Sequence, residues 1–344
     1  MRILVVGADS KYAIERPYIK HLSQIPSIDC VDFFTAQNRF LEYYNKSIAH
    51  KVMYRFGFSR ILREINAELI EKIAKNKPDI VFVFKGMEVF PETLKWIRST
   101  GVKLVNYNPD NPFIFSGKGS GNRNITQSIS LYDLHLTYDS EVKYKIEKDF
   151  GIACSILPFG FDLSFELFAD CQLQEEISKV CFLGSPDLHR AAFINSLARN
   201  ELSIDVYGQG WNKFVSRENI KVHDAVYDDV FWRVLQRYRV QLNLMRPHNP
   251  CSHNMRTFEI PGVGGIQLAP NTRDHATYFK PDSEIFLFKN LADCSYQISR
   301  LLNLTAASSV EIRQAARQRS LTSGYSYLAR AQQVFKAIEK LMNE

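Results

Sequence analysis

Arg256 and Glu259 stand three residues apart in the stretch "SHNMRTFEIPGVGGIQLAPN", residues 252–271. On a helix that spacing puts both side chains on nearly one face, and Asn254 just ahead of them is the expected N-cap. Two chemistries are open to such a pair. As a surface ion pair on a short helix it contributes only about a few tenths of a kcal/mol. As ligand groups, the guanidinium neutralises a diphosphate while the carboxylate accepts hydrogen bonds from paired hydroxyls such as those of a ribose. Pro261 then removes an interior N–H and bends or ends the helix. Gly262, Gly264 and Gly265 let backbone or ligand approach closely.

Other residues could serve the same chemistry. In "FLGSPDLHR", Gly184 and Ser185 precede Pro186, where a helix is expected to begin. Small residues there leave backbone N–H groups and a helix N-terminus facing a phosphate. Arg190 lies one turn further and can reach the same anion, although an ordinary strand-to-helix turn has the same composition. "VYGQGW" offers Tyr207 and Gly208 either as a flat pocket for a nucleobase or as a tight turn under aromatic cover. In the first half, "NPDNPF" holds Asp110 between Pro109 and Pro112. That carboxylate is either a base or hydroxyl acceptor, or part of an Asx turn that reverses the chain. Asp9 and Glu88 end other strand-like runs.

Several classes lack their signature. No GxGxxG follows "RILVVGADS", and "SGKGSGNRN" has the wrong spacing for a phosphate-binding P-loop. His248, Cys251 and His253 are close in sequence, but no second cluster completes a zinc ligand set, and no DxD pair is present. Neither a metal nor another cofactor is expected.

These residues must be positioned by elements, and the chain supplies them in alternation. Apolar runs at 2–8, 30–36, 79–86, 103–110, 133–140 and 154–160 alternate with helix-length stretches, including 66–75 and 141–150. A second series follows at 179–185, 203–210, 240–246, 265–270 and 284–290, with helical patterns at 228–239, 291–304, 309–321 and 326–342. Continuous apolar strands between helices predict parallel sheets covered on both faces. The expectation is an α/β protein of two doubly wound domains, residues 1–165 and 175–325. A last helix, 326–344, would return toward the N-terminal domain. Ligands in such sheets sit beyond the carboxyl ends of the strands, and a cleft between two facing domains is the natural site.

A length of 344 residues suits two domains, and 45% hydrophobic and 12% aromatic residues suffice for ordinary cores. The net charge of +6 fits a small anionic ligand or a membrane surface better than nucleic acid. No run is long and apolar enough to span a bilayer, and the first residues do not read as a signal peptide. Six scattered cysteines without a CxxC pair read as free thiols in a reducing cytoplasm. The basic, aromatic segment 50–65 could lie on anionic lipid, placing the protein at the inner membrane face. Alternatively its apolar side packs on its own domain and its basic side is solvated.

In this order, two Rossmann-like domains, "FLGS…R", "VYGQGW" and "N-x-R-x-F-E-I-P-x-x-G-G" resemble the GT-B glycosyltransferases, and most nearly the bacterial spore-maturation-protein-like group. The likeness covers most of residues 179–330 and, more loosely, the first half. It implies a GT-B fold and transfer of a sugar from a nucleoside-diphosphate donor to a glycan or lipid-linked acceptor in bacterial surface polysaccharide or glycoconjugate synthesis. It further implies that Glu259 meets the donor ribose and that Arg190 and Arg256, with Arg246 and Asn254 beside them, serve the diphosphate. Gly184 and Ser185 become the phosphate-facing loop, and Tyr207 and Gly208 part of the base pocket. Asp110 is the first candidate for an acceptor base, with Asp9 and Glu88 behind it. Many retaining members carry E-x7-E, but the first position is Cys251 here, so retention and inversion both stay open. The alternatives are a two-domain sugar- or nucleotide-binding protein without turnover and a GT-B nucleotide-sugar epimerase.

Overall fold

A computed structural model describes residues 1–115, 121–200, 202–246 and 252–343. The chain divides into two compact units, Met1–Pro158 with Tyr327–Glu344, and Phe159–Ser326.

The N-terminal unit is a six-stranded parallel sheet of β1 (Arg2–Val6), β2 (Cys30–Phe34), β3 (Ile80–Phe84), β4 (Lys103–Asn108), β5 (Leu134–Thr137) and β6 (Ala153–Ile156), in the order β2-β1-β3-β4-β5-β6. Helices α1 (Glu15–Leu22), α2 (Ala36–Asn45), α3 (Ile48–Arg55), α4 (Ile61–Asn76), α5 (Pro91–Ser99), α6 (Arg123–Ser128) and α7 (Ser140–Phe150) make the crossovers. Strand β3 reads IVFVF with every residue buried, because helices cover both faces of a parallel sheet. On one face Val81, Val83, Ile65 and Leu69 share a core cluster.

The C-terminal unit repeats the plan. After α8 (Phe165–Gln172), strands β7 (Ile177–Leu183), β8 (Ile204–Tyr207), β9 (Ile220–His223), β10 (Tyr238–Leu242), β11 (Gln267–Pro270) and β12 (Phe286–Phe288) pair in the order β12-β11-β10-β7-β8-β9. All its pairings are parallel. Helices α9 (Leu188–Leu197), α10 (Asp228–Arg237), α11 (Arg256–Gly262), α12 (Arg273–Tyr278), α13 (Leu291–Leu302) and α14 (Ala306–Thr322) surround it. Buried Arg313 of α14 ties the elements together by donating to the carbonyls of Gln236, Gly264 and Tyr238 at 2.6, 2.9 and 3.1 Å and to Glu176 at 2.7 Å. The last helix, α15 (Tyr327–Asn343), belongs to the N-terminal unit, where Tyr327 meets Tyr18 of α1 with ring centroids 5.3 Å apart.

Three details depart from expectation. Strand β9 is missed by the apolar pattern because IKVH is a short edge strand with only its first residue buried. The division falls after Pro158 rather than between 165 and 175. Phe161 packs under the Arg317 guanidinium, 5.6 Å from ring centroid to cation, and Leu163 and Leu167 join a C-terminal-unit cluster. Residues 50–65 are not one helix: α3 ends at Arg55, Gly57 turns at φ 78°, and α4 begins at Ile61.

Candidate functional site

In the C-terminal unit the strand order reverses between β7 and β10, so the crevice expected of a doubly wound sheet opens at their carboxyl ends. Cationic side chains gather there. Arg256 donates from Nε to the Leu183 carbonyl at 3.2 Å and from Nη1 to the Glu259 carboxylate. Its guanidinium lies 4.5 Å from the centre of the Phe231 ring. Arg190, 9% exposed, reaches from α9 to the Leu244 carbonyl at 2.8 Å and the Ser185 carbonyl at 3.3 Å. Burial pushes its pKa down to about 10; Arg246 and Arg256 add to that shift, and Asp187 opposes it. Exposed Arg246 follows β10. Three like charges near one strand junction repel one another, and an anion among them would relieve that repulsion.

Glu259 is only 6% exposed. Burial raises its pKa, while the charge and hydrogen bond of Arg256 act in the opposite direction. Helix α11 holds the pair in place. Asn254 accepts from Thr257 N–H at 3.2 Å and donates to Asn243 Oδ1 at 2.7 Å, joining the start of α11 to the end of β10. At the other end Gly264, at φ 77°, lets Gly264 N–H reach the Pro261 carbonyl and Gly265 N–H the Ile260 carbonyl, the paired bonds of a Schellman motif. Asn243 was not singled out from the sequence. Its signal was a lone amide at the apolar strand end "LNLM".

Other expected donor residues fall differently. Helix α9 begins at Leu188, and its N-cap is Asp187, whose carboxylate accepts from Arg190 N–H at 2.9 Å. That carboxylate occupies the helix end that was expected to face a phosphate, behind Gly184 and exposed Ser185. Gly208, at φ 153°, brings the chain against β7: a Cβ there would lie 2.5 Å from the Gly184 carbonyl oxygen. The Tyr207 ring stacks on His223 at 4.3 Å, and its hydroxyl bonds that of Tyr238 at 2.8 Å. Tyr238 in turn donates to buried Asp205 at 2.7 Å.

His253 is fully buried, with Nδ1 on Asp274 at 2.7 Å and Nε2 accepting from Phe159 N–H at 3.4 Å. Among the described residues no group of three or more His, Cys, Asp or Glu could hold a metal. His248 and Cys251 lie outside the described residues.

The corresponding reversal in the N-terminal unit lies between β1 and β3, and carboxylates surround it. Glu88 is buried, and its pKa is pushed up to about 7, mainly by burial, with Lys85 opposing and Glu15 adding to the shift. Buried Glu15, at the head of α1, accepts from Ala8 N–H at 2.7 Å, and its own pKa is raised by burial. Asp110 is held 2.6 Å from Lys85 Nζ. Its N–H also closes an Asx turn on Asn108 Oδ1 at 3.0 Å, so the turn is made by the Asn108 side chain while the Asp110 carboxylate faces Lys85. Asp9 instead pairs with Arg16 at 2.8 Å on the surface. Lys85 adopts φ 60°, a left-handed conformation unusual for a side-chain-bearing residue. Glu15 and Lys85 were missed as site residues: Glu15 is far in sequence from Glu88 and Asp110, and Lys85 meets Asp110 only because β3 and β4 are neighbours.

Two parallel six-stranded units with these strand orders define a protein of the GT-B fold. Residues 190–336 match a family described as "Glycosyl transferase-like". Comparison with curated proteins finds no match. Among solved structures, sucrose-phosphate synthase from Thermosynechococcus elongatus aligns with TM-score 0.72 at 9% identity over 99% of both chains. Anabaena HepE in complex with UDP aligns with TM-score 0.64 at 12% identity over 99% of this chain and 100% of that one. UDP-GlcNAc 2-epimerase from Neisseria meningitidis, bound to UDP-GlcNAc, gives TM-score 0.60 at 13% identity over 99% and 100%. The fold is that of glycosyltransferases and their epimerase neighbours, and the likeness read from the sequence motifs holds at that level.

Proposed function

We propose that this protein transfers a sugar from a nucleoside-diphosphate donor to an acceptor hydroxyl. One observation carries the reading: Arg190, Arg246 and Arg256 converge with buried Glu259 at the switch point of the C-terminal unit. A diphosphate satisfies the cations, and Glu259 accepts from ribose hydroxyls, with Arg256 shared between them. The solved complexes with UDP and UDP-GlcNAc on the same fold support a nucleotide-sugar donor.

When the anomeric C–O bond breaks, both bonding electrons leave on the diphosphate. In this reading the arginines stabilise that charge, and no step uses a metal. The acceptor oxygen forms the new C–O bond and gives up its proton. We assign that proton to Glu88 ahead of Asp110, because Asp110 is already paired with Lys85 and burial holds Glu88 near neutrality. Asp9, paired at the surface, is placed last. Gly184, Ser185, Tyr207 and Gly208 shape the walls of the donor site in this reading, and Asn254 positions Arg256. The acceptor is a glycan or lipid-linked sugar, and the work belongs to surface glycan synthesis. The free thiols among the described residues fit a cytoplasmic setting.

The epimerase neighbours favour one second reading, in which the same donor site isomerises the sugar. Incubation with a panel of nucleoside-diphosphate sugars and candidate acceptors separates the two. A new glycoside with acceptor-dependent release of nucleoside diphosphate is expected. An isomerised donor would replace transfer with epimerisation, and binding without either product would make the protein a binding module. If no nucleotide or nucleotide sugar raises the melting temperature, the donor site is misassigned.

A further inference from the structure

The positive charge of this protein is concentrated in one place. The chain carries 43 basic and 37 acidic residues. Lys46, Lys51, Arg55, Arg60 and Arg63 fall in a segment without a single Asp or Glu, and all five are exposed. Apart from these five, the chain is nearly balanced.

The same segment exposes large apolar side chains. No residue of α3 is buried. Ile48 is 80% exposed, Phe56 67% and Phe58 75%, with Val52 and Met53 also open. The helix is seated through Tyr54, whose ring meets Phe40 at 4.8 Å and Tyr44 at 5.8 Å. Ile48, Val52 and Phe56 recur every fourth position and so form one row, and Lys51 and Arg55 form the row beside it. Sequence reading left open whether the apolar side of this segment packs on its own domain, and in the structure most of it does not.

We propose that α3 and the Phe56–Gly57–Phe58 turn dock the N-terminal unit onto an anionic phospholipid surface. Between residues 46 and 63 there is no Asp or Glu to pair with a basic partner, and the exposed side chains are mainly apolar and cationic. The patch pairs a non-directional apolar row with flanking cations, the arrangement by which interfacial helices bind anionic lipid headgroups. Ile48, Val52, Phe56 and Phe58 enter the headgroup boundary while the five basic side chains meet phosphates. The proposal stands apart from the donor-site reading, because none of these residues belongs to it.

The test is flotation of the full chain with phosphatidylcholine vesicles, with and without phosphatidylserine. Expected is binding that requires phosphatidylserine and weakens with salt. Lys51→Glu with Arg55→Glu should weaken it by at least about tenfold, since each cation is worth about fivefold. Phe56→Ser with Phe58→Ser should weaken it comparably without changing the melting temperature, both side chains being exposed. A control pair in the other unit, Lys213→Glu with Lys221→Glu, changes net charge equally and should leave binding intact. Equal binding to both vesicle types, no binding to either, or binding that survives either patch variant overturns the proposal. So does equal loss in the control pair, which would make the effect one of net charge. Nucleotide affinity measured in the same variants should not move, so failure here leaves the donor-site reading standing.

Discussion

Both units are doubly wound six-stranded parallel sheets, the N-terminal order reversing after two strands and the C-terminal after three, and they carry opposite charge where the order reverses. Where the C-terminal sheet reverses, Arg190, Arg246 and Arg256 outnumber Asp187 and Glu259. Where the N-terminal sheet reverses, Glu15, Glu88 and Asp110 surround a single lysine, Lys85. A shared scaffold thus supplies a crevice twice, and the side chains just beyond the strands decide what each can do. The first set suits an anion that grows more negative as a bond breaks. The second suits a neutral hydroxyl that must lose a proton.

Glu88→Gln gives the sharpest break of that contrast. The amide keeps size and hydrogen bonding but cannot take a proton. Transfer should fall by about 100- to 10,000-fold, the usual worth of general base catalysis, while calorimetric affinity for the nucleotide stays unchanged. A variant retaining most of its kcat removes Glu88 from the mechanism and returns the role to Asp110.

Arg256→Ala tests the cationic side. On the proposed reading it removes a charge-assisted contact to the donor and strands the buried Glu259 carboxylate, so nucleotide affinity should drop by about 2–3 kcal/mol, roughly 30- to 150-fold. Thermal stability should fall as well, because Glu259 loses its ion-pair partner Arg256. Arg256→Lys should recover only part of the affinity, since an ammonium cannot bridge the Leu183 carbonyl, Glu259 and a phosphate in one plane. Unchanged calorimetric affinity in Arg256→Ala would remove the diphosphate from this crevice.

Lys85→Met bears on how the anionic side is tuned. The base form of Glu88 is populated as pH rises through its raised pKa, about 7. Lys85 opposes the rise, so removing its charge should carry the pKa higher and move the ascending limb of the rate profile to higher pH. The sign for stability is consistent. A carboxyl with a raised folded-state pKa costs stability as pH climbs from its unfolded value toward about 7, and Lys85→Met should extend that loss to higher pH. A limb that stays put or moves to lower pH would show that Lys85 does not act on Glu88.

Much of this contrast could be read from the sequence, for a physical reason. In a parallel sheet buried on both faces, strands announce themselves as continuous apolar runs, and the residues following them gather at one edge whatever their distance in sequence. That is why Arg190, Arg246, Arg256, Glu259, Glu88 and Asp110 could be singled out. Glu15 escaped because it acts from the head of a helix, folding back on Ala8. Lys85 stands at a strand end that the apolar pattern shows, but its pairing with Asp110 depends on β3 and β4 being neighbours. The surroundings of Tyr207 follow from the period of two along β8, which the motif "VYGQGW" alone does not show. Asp205 and Tyr207 share a face, and that face is occupied by Tyr238 and His223. Strand β9 was too short and too polar to stand out.

The smallest expected effect tests the one carboxylate on the cationic side that no sequence reading foresaw. Asp187 caps α9 and stands 3.6 Å from Arg190 Nε. On the proposed reading its negative charge competes with a donor diphosphate both for the guanidinium and for the positive helix end. Asn caps as well as Asp, so Asp187→Asn should keep the melting temperature within about a degree or two while removing the competing charge. Nucleotide affinity should then rise by about 0.3–1 kcal/mol, roughly two- to fivefold, with the gain shrinking at high salt. Asp187→Ala separates cap from charge: it should show the same gain but lose about 1 kcal/mol of stability. A weaker affinity in Asp187→Asn would mean that this carboxylate positions Arg190 for the anion rather than competing with it, and the cationic crevice would then need its acid as much as its bases.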